Sequence, residues 1–218
     1  SLFYRSAQNG YNEGFDEIGM HFYDEAKQGD EKKIQKAIKF FKKGGRQLSS
    51  SSLYNLGVIY RDGKFVEKDE KKCASYFHRS AKLGFDKGII SYANCLMKGI
   101  GVDVNVKKAG KYFKKAADLG SKVAQHNFAK IIYDNQESIG IELDVAAKYF
   151  KMAADNGVPQ SMFYYAKILI KGEGNVDRSL SEGKSYLLRY FEKTTEDDRL
   201  PGSGEHIIFL IKFSKILL

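Results

Sequence analysis

The chain has 218 residues, of which 43% are hydrophobic and 13% aromatic, so it can bury a sizeable core. This composition excludes an intrinsically disordered chain, and the 29% of charged residues is ordinary for a folded domain. A formal net charge of +9, from 36 Lys and Arg against 27 Asp and Glu, favours acidic partners and raises nucleic acid and membrane surfaces as alternatives.

A nine-residue pattern recurs along the chain. It reads YFHRSAKLG from Tyr76, YFKKAADLG from Tyr112 and YFKMAADNG from Tyr149, with weaker copies from Leu2 and Phe40. The copies are spaced about 37 residues apart, a period typical of stacked helical repeats. We therefore predict a single all-α solenoid domain over 1–218, with the end of a preceding repeat at 1–10 and repeats at 11–48, 49–84, 85–120, 121–157 and 158–195.

The first half of each repeat has apolar residues at helical spacing, which predicts the first helix of a pair. These helices are predicted to begin near Gly14, Ser52, Gly88, Ala124 and Ser161. A small residue recurs in one column of them, namely Gly19, Gly57, Ala93, Ala129 and Ala166.

A residue suited to capping predicts where each second helix begins. The candidates are Asp69, Asn105 and Ser179, with Glu142 as a poorer substitute. The second helix then runs through the nine-residue pattern, in which the aromatic column is predicted to be core and the small pair to allow the next helix to approach. The aromatic column is Phe41, Phe77, Phe113 and Phe150. The last glycine of the pattern suits the left-handed conformation that ends a helix.

The fifth repeat departs from the pattern at its end. Tyr190 and Phe191 replace the small pair, which predicts that the regular stack ends there. Residues 196–218 are then predicted to be a loop followed by a capping helix. The alternative is a longer array that continues past this point.

These features resemble the Sel-one-like repeat family, a branch of the tetratricopeptide-like solenoids. The second repeat, SLYNLGVIYRDGKFVEKDEKKCASYFHRSAKLG from Ser52, carries the pattern most fully. The resemblance implies a right-handed superhelix of antiparallel helix pairs that acts as a noncatalytic, protein-binding adaptor or scaffold.

No constellation of residues predicts catalysis, a metal site or a cofactor. The four histidines lie in different repeats without metal-ligand spacing, and no phosphate-binding Gly-x-x-x-x-Gly-Lys motif is present. Cys73 and Cys95 are too few for a disulfide framework and are predicted to be core thiols. A cytoplasmic location is expected, because none of the asparagines stands in an Asn-x-Ser/Thr sequon.

The resemblance also places candidate partner contacts on the first helices, which line the concave face of related solenoids. The residues transferred in this way are Tyr54, Arg61, Asn94, His126, Lys130, Tyr133, Phe163 and Lys167. Asn94, Lys130 and Lys167 are predicted to form a ladder suited to the carboxylates or backbone of an acidic peptide. Solvated polar residues without a ligand are the simpler alternative.

The second helices carry a different basic set, predicted to lie on the convex face. Its columns are Lys36, Lys72 and Lys108; Lys39, Lys111 and Lys148; and Lys43, Arg79 and Lys115. This set motivates the alternative function, binding of nucleic acid or anionic lipid.

Overall fold

A computed structural model describes residues 12–136 and 140–194. Its helices are α1 (Asn12–Lys27), α2 (Lys33–Arg46), α3 (Ser50–Asp62), α4 (Glu70–Lys82), α5 (Asp86–Lys98), α6 (Val106–Asp118), α7 (Lys122–Asp134), α8 (Leu143–Asp155), α9 (Pro159–Lys171) and α10 (Leu180–Lys193). Within these two ranges no residue belongs to a β-strand. The segments 1–10 and 196–218, predicted to be a preceding repeat and a cap, lie outside the described residues.

The chain divides into two compact units, unit 1 over Ser1–Ala116 and unit 2 over Ala117–Leu218, and the division falls inside α6. In unit 1, α1 packs against α2 and α3 against α4, and α3 also contacts both α1 and α5. In unit 2, α7 packs against α8 and α9 against α10. Short connections make consecutive helices antiparallel. Each unit is therefore a stack of antiparallel helix pairs, and the predicted all-α solenoid class is confirmed.

Glycine in the small-residue column allows an aromatic ring to pack directly on the first helix. A Cβ atom at Gly57 would come within 2.5 Å of the Phe77 ring, and one at Gly19 within 2.6 Å of the Phe41 ring. The whole aromatic column of the second helices is at most 1% exposed. The predicted core column is therefore confirmed.

The small pair of the nine-residue pattern brings successive helices close together. A Cβ atom at Gly44 would lie 2.3 Å from the hydroxyl oxygen of Ser52, and one at Gly45 2.8 Å from the Leu53 side chain. Ser80 is fully buried and donates a 2.7 Å hydrogen bond to the carbonyl oxygen of Ser50. These contacts explain why larger side chains do not occur at this place in the regular repeats.

The capping residues act as predicted. Side-chain oxygens of Asp69 and Asn105 each accept a 2.8 Å hydrogen bond from a backbone amide three residues later, and Ser179 accepts one from the amide of Glu182. Glu142 makes no such bond with its side chain. Its carboxylate is one methylene longer than that of Asp, which makes it the poorer cap.

The turns that follow α2, α4, α6 and α8 each use a left-handed residue. Gly84, Gly120 and Gly157 have φ of 83°, 93° and 84°. Leu48 holds the same place after α2 with φ of 62°, although a side chain makes this conformation unfavourable. The turn is therefore imposed by the repeat even where the sequence lacks glycine.

Candidate partner-binding surfaces

The predicted first-helix contacts are divided between the two units. Unit 1 contains Tyr54, Arg61 and Asn94, and unit 2 contains the remaining five, which are His126, Lys130, Tyr133, Phe163 and Lys167. The proposed ladder is divided in the same way, since Asn94 belongs to unit 1 and the two lysines to unit 2.

In unit 1, Arg61 at the end of α3 and Asn94 on α5 line one cavity of about 230 Å³. Its other lining residues are Cys73, Phe77, Ser91, Cys95, Lys98 and Ile100. The Nε atom of Arg61 donates a 2.8 Å hydrogen bond to Asp62, so the guanidinium charge at the rim already has a carboxylate partner. The cavity offers amide, hydroxyl and guanidinium groups that could bind backbone or polar groups of a peptide.

Cys73 and Cys95 meet on one wall of this cavity, and both are free thiols that are at most 3% exposed. The pKa of Cys73 is raised by its hydrogen bond with the thiol of Cys95 and by burial. A thiol in this state is a poor nucleophile, because the thiolate is the reactive form. The predicted role of both cysteines as core residues is confirmed by their burial.

Two predicted contacts lie against the aromatic core. Phe163 is 1% exposed and packs against Tyr164 and Tyr190, so its ring cannot contact a partner, and that prediction is wrong. Tyr190, which stands where the regular repeats have a small residue, is one of the rings that pack on Phe163. Tyr54 is half-buried, with its ring centroid 5.6 Å from that of Phe77.

In unit 2, the remaining predicted residues form an aromatic and cationic cluster on α7 and α9. Lys130 pairs with Asp134 one turn along α7, and its Nζ atom lies 5.1 Å from the centre of the Tyr164 ring. The Nζ atom of Lys167 lies 5.4 Å from the centre of the Tyr133 ring. The Tyr133 hydroxyl donates a 3.1 Å hydrogen bond to Glu173. The cations of this cluster thus take part in the packing of the unit.

His126 belongs to the same cluster. Its Nδ1 atom shares a 2.8 Å hydrogen bond with the Ser161 hydroxyl, and its ring contacts those of Phe150 and Tyr164. Burial, together with the positive charge of Lys130, lowers the pKa of His126 to about 4. The imidazole is therefore neutral at pH 7.

Among the second helices, α2 is the most basic. It reads KIQKAIKFFKKGGR, with six cations and no acidic residue. A cavity of about 280 Å³, the α2–α4 pocket, opens between α2 and α4 with α3 as its floor. It is lined by Lys42, Gly45, Arg46, Leu53, Leu56, Tyr76 and Arg79. Residue columns did not identify Lys42 or Arg46, although the absence of acidic residues from α2 was a visible signal.

The basic columns of the second helices are mostly free of carboxylate partners. In the part of the chain that the structure describes, Lys72 is the one member with an ion pair, to Asp69 at 2.8 Å. Others lie over aromatic rings, as Lys36 does over Phe22 and Lys108 over Tyr92. Positive charge is therefore more available on these helices than on α3, α7 and α9.

Within residues 12–136 and 140–194, no three His, Cys, Asp or Glu side chains are grouped as metal ligands would be. The helices of these same ranges are each too short or too polar to cross a membrane.

Repeated antiparallel helix pairs of about 37 residues, with surface residues presented from successive first and second helices, define an α-solenoid of the tetratricopeptide-like class. The Sel1 repeat family model matches residues 18–47, 50–85, 88–121, 124–158 and 159–189. The chain therefore belongs to the Sel1 repeat family, whose members are generally protein-interaction scaffolds.

Several solved structures share this fold. A Sel1 repeat protein from Oxalobacter formigenes is 22% identical, with a TM-score of 0.71 over 88% of this chain and 77% of its own. A protective antigen present in uropathogenic Escherichia coli strains, described as displaying an SLR fold, is 21% identical, with a TM-score of 0.75. That match covers 88% of this chain but 40% of the antigen. A Sel1 repeat protein from Klebsiella pneumoniae subsp. pneumoniae is 18% identical, with a TM-score of 0.52 over 91% of this chain and 94% of its own. No curated protein sequence matches the chain.

Proposed function

We propose that this chain is a noncatalytic scaffold that binds a protein or peptide partner. The observation that carries the proposal is the match of five consecutive repeats to a family of interaction scaffolds. Stacked repeats build an extended surface from equivalent positions of successive helices, which suits an extended or helical segment of another protein.

We further propose that the first helices supply one contact surface. Arg61 and Asn94 on the cavity of unit 1 are its best-supported members, since both side chains line a recess with several polar groups. An acidic preference of this surface has less support, because Arg61 and Lys130 already pair with Asp62 and Asp134. A cytoplasmic location belongs to the same proposal and is supported by the two free thiols.

Binding of nucleic acid or anionic lipid is the second candidate function. It is favoured by the second-helix cations, of which Lys39, Lys111 and Lys148 are exposed and make no ion pair within the described residues. The steep salt dependence that phosphate contacts produce would distinguish this function from protein binding.

The test is affinity capture from a nuclease-treated lysate with the native chain and three variants. Arg61→Glu alters the surface of unit 1, and Lys130→Glu with Lys167→Glu alters that of unit 2. Lys71→Glu is the matched control, because Lys71 is exposed on α4, away from the first helices. We expect specific proteins to be retained by the native chain and the control and lost from at least one surface variant. Equal capture by all chains would refute the first-helix surface, and capture of nothing would refute the scaffold.

A further inference from the structure

The α2–α4 pocket has a counterpart in unit 2 that is already filled by a carboxylate. The nine-residue pattern aligns Tyr76 with Tyr186 and Arg79 with Arg189. The two guanidinium groups make the same hydrogen bond. Nη2 of Arg79 donates to the carbonyl oxygen of Gly45, and Nη2 of Arg189 donates to that of Ala154, each at 3.3 Å. Both carbonyls stand at the sixth place of the preceding pattern. Both guanidiniums also lie over the ring of the aligned tyrosine.

The second helices of successive repeats meet at a joint, α2 with α4 in unit 1 and α8 with α10 in unit 2. The residue at the seventh place of the preceding pattern differs between these two joints. In unit 2 it is Asp155, whose Oδ1 atom accepts a 2.6 Å hydrogen bond from the Tyr186 hydroxyl and lies 3.4 Å from Nη1 of Arg189. The same hydrogen bond joins Tyr149 to Asp118, which also stands at the seventh place. A carboxylate is therefore what this tyrosine binds in both joints of unit 2.

At the α2–α4 joint of unit 1 the seventh place holds Arg46, so the carboxylate is replaced by a cation. Lys42 and Arg46 make no ion pair or side-chain hydrogen bond with the described residues, and the Tyr76 hydroxyl makes no hydrogen bond with them either. Three cations and a phenol hydroxyl thus surround a cavity that has no acidic group in its lining. The position of Arg46 in the last turn of α2 favours a cation through the helix dipole, but Asp118 and Asp155 occupy the same place despite that dipole.

The floor of the pocket adds an apolar component. Leu53 and Leu56 are at most 1% exposed, and the half-buried Tyr76 ring stacks on Tyr60 with the centroids 5.8 Å apart. A second cavity of about 360 Å³ shares Lys42 and Arg46 with the pocket and continues along α2 past Lys39. The surface therefore offers one recess with an apolar floor and a cationic track that leads to it.

We propose that the α2–α4 pocket binds an Asp or Glu side chain of a partner protein, in an acidic segment that lies along α2. The partner's carboxylate takes the place that Asp155 holds in unit 2, accepting hydrogen bonds from Tyr76 and Arg79 and pairing with Arg46. Lys39 and Lys42 attract the neighbouring acidic residues of the segment. This inference rests on the proposed scaffold function and specifies the chemistry of its partner.

The decisive variant is Arg46→Asp, which supplies the missing carboxylate from within the chain. Its matched control is Lys82→Asp, because Lys82 holds the seventh place in the next repeat, is exposed, and gives the same change in charge. The probe is a fluorescein-labelled peptide of aspartate and glutamate, and the measurement is its fluorescence anisotropy with the full chain. We expect Arg46→Asp to weaken peptide binding at least about tenfold and Lys82→Asp to leave it within about twofold.

A gentler variant keeps the test decisive if Arg46→Asp fails to fold. Tyr76→Phe removes one hydroxyl group and should weaken peptide binding by about fivefold, the effect of one lost hydrogen bond. Equal weakening by Arg46→Asp and Lys82→Asp would overturn the pocket, because it would show attraction by net charge alone. Undiminished binding to Tyr76→Phe and to Arg46→Asp would also overturn it.

Two other anionic probes test the choice of occupant. Tighter binding of oligothymidylate, or of vesicles of phosphatidylserine and phosphatidylcholine, with the same dependence on Arg46 would overturn an acidic protein segment as the occupant. If the peptide fails to bind while lysate proteins are still captured through Arg61, this inference fails and the scaffold function stands.

Discussion

The joint between α2 and α4 and the joint between α8 and α10 use the same repeat positions in opposite ways. At the α8–α10 joint, Tyr186 and Arg189 are directed at Asp155, and Lys151 bonds to Glu182, so the polar groups stabilise the unit. At the α2–α4 joint, Arg46 stands where the aspartate would be. A repeat scaffold can thus leave one joint open to an external carboxylate while the joints that carry Asp118 and Asp155 are closed from within.

Unit 2 should be sensitive to acid, because burial favours the neutral form of His126 in the folded chain. The pKa of His126 is about 4 in the folded chain, against about 6.5 in an unfolded one. The unfolded chain therefore binds more protons between these values, and the free energy of unfolding falls as pH is lowered from about 6.5 to about 4. The loss from this residue is on the order of 3 kcal/mol. Urea unfolding followed by circular dichroism across this pH range measures it.

The matched variants for this measurement are His126→Gln and His21→Gln. Glutamine at 126 can still bond to Ser161 but does not titrate, so its unfolding free energy should depend less on pH than that of the native chain. His21 is exposed on α1, outside the aromatic cluster, and serves as the control histidine. A His126→Gln chain with the native pH dependence would contradict the prediction.

The residue at the seventh place should stabilise the α8–α10 joint more than the α2–α4 joint. Asp155→Ala removes the acceptor of Tyr186 and Arg189 and should lower the free energy of unfolding by about 1 kcal/mol, a modest value because the ion pair is partly exposed. Arg46→Ala at the aligned place should change it by less than about 0.5 kcal/mol, since its side chain makes no polar contact with the described residues. Glu192→Ala, an exposed substitution on α10, serves as a control. If Arg46→Ala cost as much as Asp155→Ala, the α2–α4 joint would be as closed as its counterpart.

Sequence reasoning succeeded where one residue type has one physical purpose. Phe77 is a core residue and Asp69 caps α4, and both functions follow from spacing and side-chain chemistry alone. The prediction that Phe163 contacts a partner failed. An aligned column gives the position of a residue on its helix, but it does not show which neighbouring rings, such as that of Tyr190, pack on the side chain. Tyr54 and His126 in the same column also lie against the aromatic core.

The α2–α4 pocket was harder to foresee for a related reason. In the sequence, Arg46 resembles any other surface cation. Its proposed role follows from the hydrogen bond between Tyr186 and Asp155 at the aligned joint, where Asp155 holds the place of Arg46. A hydrogen bond between two repeats joins residues about 31 positions apart, so neither the nine-residue pattern nor helical periodicity contains it. Aligning the contacts of the repeats, rather than their residues, reveals the difference.

The third and smallest prediction concerns the turn beside the pocket. Leu48 has φ of 62° two residues after Arg46, where the next three repeats use Gly84, Gly120 and Gly157, and it is 67% exposed. Leu48→Gly relieves backbone strain of about 1 kcal/mol, part of which is offset by the greater freedom of glycine in the unfolded chain. We expect a net gain of about 0.5 kcal/mol in the free energy of unfolding, measured by urea denaturation, with acidic-peptide binding unchanged. Gly84→Leu is the reverse variant, since Gly84 has φ of 83° and a Cβ atom there meets no neighbour within 4 Å, so strain alone should lower its stability. If Leu48→Gly instead weakened peptide binding, the leucine would belong to the pocket, and the open joint would extend past the end of α2.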